Sequence, residues 1–81
     1  MTNRIITIQP KGTSQQRSYD CQLVMVGNIR TYVLDNTSQN LSGLAPGCKV
    51  FDDSILYRIK EIWYSPDSKY AFIAVYRDLP V

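Results

Sequence analysis

Apolar and polar residues alternate with a period of two along most of this chain, most regularly over residues 56–77. Successive side chains of an extended strand point to opposite faces, so this alternation predicts half-covered β-strands. No window sustains the i, i+3, i+4, i+7 apolar spacing of an amphipathic helix, and the alternating segments are rich in β-branched and aromatic residues. Strands are expected over residues 4–9, 18–26, 29–34 and 48–51, with two more inside 55–78. Pro10 stops the first, because proline cannot donate to a ladder. The polar segment 11–17 (Lys-Gly-Thr-Ser-Gln-Gln-Arg) predicts a connection.

Gly27-Asn28 is a two-residue hairpin signal in which glycine supplies a positive φ. Pairing Val26 with Ile29 across it brings Met25 to Arg30, Leu23 to Tyr32 and Cys21 to Leu34. Val24 then meets Thr31 and Gln22 meets Val33 on the other face. The bulkier first set is assigned to the core. Residues 35–47 are rich in Asn, Ser, Gly and Pro and predict one long irregular loop, anchored on the core by Leu41 and Leu44, with room for a single helical turn. Adjacent Asp52 and Asp53 predict a solvated turn.

The hairpin of residues 56–77 turns at Ser65-Pro66-Asp67-Ser68, where proline presets φ and Asp67 can bond the following backbone. Pairing Tyr64 with Lys69 puts Trp63 opposite Tyr70, Glu61 opposite Phe72, Ile59 opposite Ala74 and Tyr57 opposite Tyr76. That ring-rich face is expected to be core. Glu61 does not fit it, which calls for a solvated strand end or a β-bulge. The other face carries Arg58, Lys60, Ile62, Tyr64, Lys69, Ile73 and Arg77, four of the chain's nine cations among aliphatic groups. These seven residues are the expected binding surface. A plain structural alternative is that the aliphatics pack on a second sheet while the Arg and Lys stems snorkel outward.

The expected fold is therefore all-β: a small single-domain barrel or compact sandwich of about five to six antiparallel strands, of SH3-like or OB-like size, spanning residues 1–81. At 81 residues, 44% hydrophobic and 11% aromatic, the chain has enough apolar surface for one core. Met-Thr-Asn-Arg leads directly into Ile-Ile-Thr-Ile without a secretory pattern, and no apolar run approaches the ~20 residues that span a bilayer. A cytoplasmic setting is expected, with Cys21 and Cys48 as reduced, buried thiols.

Catalytic chemistry has little to draw on. With no histidine in the sequence, Ser-His and Cys-His nucleophiles and His-ligated metals drop out, and two cysteines do not complete a zinc site. The four glycines are scattered and form no phosphate loop. The expectation is no enzyme, no metal, no cofactor and no small-molecule ligand.

Tyr-Ser-Pro-Asp-Ser-Lys-Tyr-Ala-Phe resembles the Ser-Pro-Asp-Gly-Lys turn in blades of TolB-type β-propellers, with Ser68 where that family has glycine. One copy in a chain too short for several blades rules that architecture out, so the resemblance implies a hairpin turn and no function. Pro46-Gly47-Cys48-Lys49-Val50 is similar to the lead-in to a strand of SH3-like barrels.

These features imply a protein–protein interaction module that uses its cationic, aliphatic hairpin face on a partner with an acidic surface or on a second copy of itself. The runner-up is a small barrel that binds RNA or single-stranded nucleic acid, although a net charge of only +2 and inward-turned rings favour protein. Short, His-free, motif-poor domains are common among phage and mobile-element accessory proteins, such as inhibitors and virion decoration subunits, which sets the expected biological context. The C-terminal Leu79-Pro80-Val81 is an apolar end that a strand-adding domain could capture, with a plain exposed end as the simpler reading.

Overall fold

In the computed structural model, which describes residues 2–78, six antiparallel strands close into a small barrel. They are β1 (Thr2–Gln9), β2 (Arg17–Val26), β3 (Ile29–Asp35), β4 (Lys49–Asp52), β5 (Ile55–Tyr64) and β6 (Tyr70–Arg77). The order around the barrel is β1-β2-β3-β6-β5-β4, and β4 returns to β1 through three residue pairs, Thr7 with Phe51 to Gln9 with Lys49. Among the described residues there is no helix, and none long and apolar enough to cross a membrane. Leu79-Pro80-Val81 lies outside the described residues.

The barrel resolves the choice between barrel and sandwich. Closure pairs both edges of the sheet, and it leaves an interior just wide enough to be filled by side chains. Ile6, Ile8, Tyr19, Tyr32, Leu34, Val50, Tyr57, Ile59 and Ile73 fill it. The Tyr32 and Tyr57 rings meet edge to face, with centroids 6.5 Å apart. Leu41 is buried and Leu44 packs against the same cluster, so the segment between β3 and β4 is pinned from within, as its two leucines suggested. It forms turns only, without the helical turn.

The β2–β3 hairpin has the register that its sequence implies, from Val26 opposite Ile29 to Cys21 opposite Leu34. Gly27 heads the turn at φ 64°, a conformation glycine adopts without steric cost. Cys21, Tyr32 and Leu34 are buried on the face expected to be core.

The β5–β6 hairpin differs from expectation. Ser65 N–H donates to the Tyr70 carbonyl at 3.0 Å, so the loop is residues 66–69, and Trp63 pairs with Phe72 rather than Tyr70. Ile59 pairs with Val75 and Glu61 with Ala74, leaving Lys60 as the extra residue of a β-bulge. An extra residue reverses the alternation beyond it. Tyr57 and Ile59 point inward before the bulge; after it Glu61 and Trp63 are exposed while Ile62 packs on the core. On β6 the small and branched Ala71, Ile73 and Val75 are buried, and Tyr70 and Tyr76 are exposed. The expected inward face of rings is thus the outer face along β6 and along β5 past the bulge. The interior already holds three tyrosines, and β6 supplies the smaller groups that still fit.

Candidate functional site

Reversal of those faces disperses the seven residues expected to form one surface. Ile73 is fully buried and Ile62 packs against the core. Arg58 is tied down: its Nε donates to Asp78 Oδ2 at 2.8 Å and its Nη1 to the Gly47 carbonyl at 3.0 Å. Lys60 is exposed on the bulge, Lys69 in the turn and Arg77 at the far end of β6. Tyr64 is exposed, beside Leu41 and Ser42 of the β3–β4 segment. Single-face alternation cannot pass through a bulge, and the patch depended on it.

Two other regions gather chemistry. The first lies inside one end of the barrel. Asp52 is 4% exposed, and one of its oxygens, Oδ2, accepts from Arg4 Nη1 at 2.7 Å, Arg30 Nη2 at 2.6 Å and the Tyr32 hydroxyl at 2.6 Å. Arg30 Nε donates to the Tyr32 hydroxyl at 2.7 Å, and its guanidinium lies over the Tyr57 ring, 5.0 Å from the centroid. The expected solvated turn is instead Asp53-Ser54, where both φ angles are positive, and Asp52 is the last inward residue of β4. The signal was present in the alternation: Asp52 continues the inward series Cys48, Val50, while Arg4 precedes Ile6 and Arg30 precedes Tyr32 and Leu34 on their inner faces. Charges brought together inside a barrel must neutralise one another.

Burial works to raise the Asp52 pKa, but hydrogen bonds from Tyr32, Arg30 and Arg4 outweigh it and hold the carboxyl below its ordinary range. Burial pushes the Tyr32 hydroxyl up, so it remains a donor at neutral pH. Arg4 Nε is buried and, among the described residues, finds no hydrogen-bond partner. Apart from that one atom the cluster's polar groups answer one another, and they join β1, β3 and β4. Its role is structural.

The second region is on the outside. The registers place Asn3, Gln22, Val33, Phe72 and Trp63 in one row across β1, β2, β3, β6 and β5. One step along the strands, Ile5 lies opposite Asp20 and Asp35 opposite Tyr70. In the other direction Val24 pairs with Thr31, Thr31 with Ala74 and Ala74 with Glu61. Phe72 and Trp63 stack, with ring planes 8° apart and centroids 5.5 Å apart, so Trp63 braces the ring of Phe72 from behind.

The β1, β2 and outer β3 and β6 positions of these rows border an open groove of about 1030 Å³ between Ile5 on β1 and Tyr70 and Phe72 on β6. Gln22, Val24 and Val33 lie in between and Asp20 and Asp35 toward one end, while Trp63 and Glu61 on β5 lie outside it. Ile5 is 66% exposed and Tyr70 48%. Asp35 Oδ1 accepts from the Thr37 hydroxyl at 2.6 Å and the Thr37 N–H at 2.8 Å, which lowers its pKa. Among the register positions of these rows the charged residues are Asp20, Asp35 and Glu61, all acidic, in a chain whose net charge is +2.

Cys21 also borders the groove. Burial, and after it the Asp52 charge, pushes its thiol up to about 12, so it stays protonated and unreactive at neutral pH. Cys21 and Cys48 are both buried and unpaired. No cluster of His, Cys, Asp or Glu suited to a metal occurs among the described residues.

Compared with known protein families, curated proteins and solved structures, the chain finds no match.

Proposed function

We propose that this domain is a non-enzymatic protein-interaction module whose working surface is the outer groove between Ile5 and Phe72. The observation that carries the reading is the Trp63–Phe72 stack on the outside of the sheet, next to exposed Tyr70 and across the groove from exposed Ile5. Large rings left on an outer face forgo burial that elsewhere supplies roughly 25 cal/mol per Å². Partial covering by a partner restores that term, and aromatic residues dominate the binding energy of protein interfaces. The groove is built on strands rather than loops, so its shape is set before any partner arrives. Carboxylates at the groove work against a phosphodiester backbone, which favours protein over nucleic acid as the occupant.

A photo-crosslinking amino acid tests this in cells that express the domain. Placed at Ile5, on the groove wall, it should give a discrete adduct that disappears in Phe72→Ser. Placed at Lys49, on β4, it should give none. An adduct from Lys49 with Ile5 silent overturns the groove, and an adduct degraded by nuclease instead of protease transfers the reading to nucleic acid.

A further inference from the structure

We infer that the groove accepts a short extended segment with one cationic side chain followed, two and four residues later, by apolar ones; this rests on the groove being the working surface. Asp20 to Val24 spans five residues of β2, a length of ~13 Å at strand spacing. The walls on β1 and β6 are three strand spacings apart, ~14 Å between backbones before side chains narrow the gap. An extended segment of about five residues fits that length, and a helix ~10 Å across fits the width poorly once the Phe72 and Ile5 side chains are in place.

The charge is distributed unevenly along the groove. One end has Asp20 and Asp35 on neighbouring strands, each exposed, with Tyr70 paired to Asp35. Asp20 makes no side-chain hydrogen bond among the described residues, and Asp35 is held through Oδ1 by Thr37, with Ser38 also close enough to lower its pKa. Val33, Phe72 and Val24 follow from the middle to the far end. Arg4 also borders the groove, but its guanidinium is paired with Asp52 on the inner side at 2.7 Å, so its charge is answered there rather than at Asp20 or Asp35. Glu61, the charged position of the far row, stands on β5 beyond the Phe72 wall and does not line the groove. A Lys or Arg side chain therefore meets lining carboxylates at one end only, and alternate apolar side chains meet Val33 and Phe72 in the middle row and Val24 at the far end. Alternate residues of an extended chain point the same way, which fixes the two-residue spacing. A segment of the reverse charge faces two carboxylates across low-dielectric walls.

Three capped five-residue peptides test this against the 15N-labelled domain: Lys-Thr-Leu-Thr-Leu, Glu-Thr-Leu-Thr-Leu and Lys-Thr-Ser-Thr-Ser. The first should shift the amides of Asp20, Gln22, Val33, Asp35 and Phe72 with a Kd on the order of 1 mM. The second and third should bind at least fivefold more weakly. Asp20→Asn, which removes charge but keeps shape, should weaken the first peptide about threefold and leave the second unchanged or tighter. Equal shifts from the Lys and Glu peptides, shifts outside the groove, or no shifts at all overturn the charge assignment. Crosslinks from Ile5 that persist under any of these results keep the groove and reject only its proposed occupant, whereas silence at Ile5 removes both.

Discussion

Two aromatic and acidic regions lie on opposite sides of the same sheet, and they differ in whether their groups are partnered. Inside, Asp52 receives three hydrogen bonds at 2.6–2.7 Å, and both arginines and Tyr32 are tied to it. Outside, the Asp20 side chain makes no hydrogen bond among the described residues, and Tyr70 and Trp63 of the Trp63–Phe72 stack are exposed. A polar group that has been desolvated must be answered from within the fold, whereas one left at the surface is free to be answered by another molecule. On this contrast the inner cluster is assigned to holding the barrel, and the outer groove is where we propose that a partner binds. Substitutions inside should therefore act on stability, and substitutions outside on recognition.

The largest effect is expected from Asp52→Ala. It strands Arg4, Arg30 and the Tyr32 hydroxyl together, and removing one partner of such a cluster costs about 3–5 kcal/mol. Urea denaturation followed by Trp63 fluorescence measures it; a loss under 1 kcal/mol would abolish the distinction between the two regions.

The same carboxylate should govern acid stability. Its folded pKa lies below the unfolded value, so its contribution is fully present at neutral pH and is lost as pH falls from about 5 through the folded pKa. Denaturation midpoints of the parent should drop across that interval. Those of Asp52→Asn should start lower and drop less steeply, while Asp20→Asn should follow the parent.

A smaller stability effect is expected at the groove. Trp63 is 37% exposed, so Trp63→Ala should cost about 1–2 kcal/mol, well below the 3–5 kcal/mol of a fully buried ring. It should nevertheless remove most of the Ile5 crosslink, because Phe72 loses its brace. A variant that loses stability without losing the crosslink would place Trp63 with the structural residues.

The smallest effect is a gain. Ser68 sits at φ 60°, where glycine is unstrained, and Ser68→Gly should add about 0.5–1 kcal/mol at the turn with no change in crosslinking.

The two hairpins show how far the sequence could be read. In β2–β3 the turn residues Gly27-Asn28 set the register, no bulge intervenes, and every pair follows from alternation, as does the buried face along Cys21, Tyr32 and Leu34. Met25, expected on that face, is 58% exposed near the turn. In β5–β6 the turn closes one residue later on each strand than its Ser-Pro-Asp-Ser composition indicates, and Lys60 bulges. Glu61 signalled that irregularity by sitting on an otherwise apolar face, yet nothing local said on which side of it the alternation would reverse. The binding patch of Arg58, Lys60, Ile62, Tyr64, Lys69, Ile73 and Arg77 depended on that choice, and it does not assemble. The groove was invisible for a different reason: its rows draw on five strands, and only strand order brings Asn3 and Trp63 to the two ends of one row.

By itself the sequence determined the all-β class, the strand segments, the β2–β3 register and the anchoring of the β3–β4 segment, because these depend on side-chain period and on nearby turn chemistry. Tertiary structure alone decided which face of β6 is inside, where Asp52 finds its partners and which rings remain at the surface. Those outcomes depend on how much volume a closed six-strand barrel has left after three tyrosines enter it, and that is a property of all the strands together.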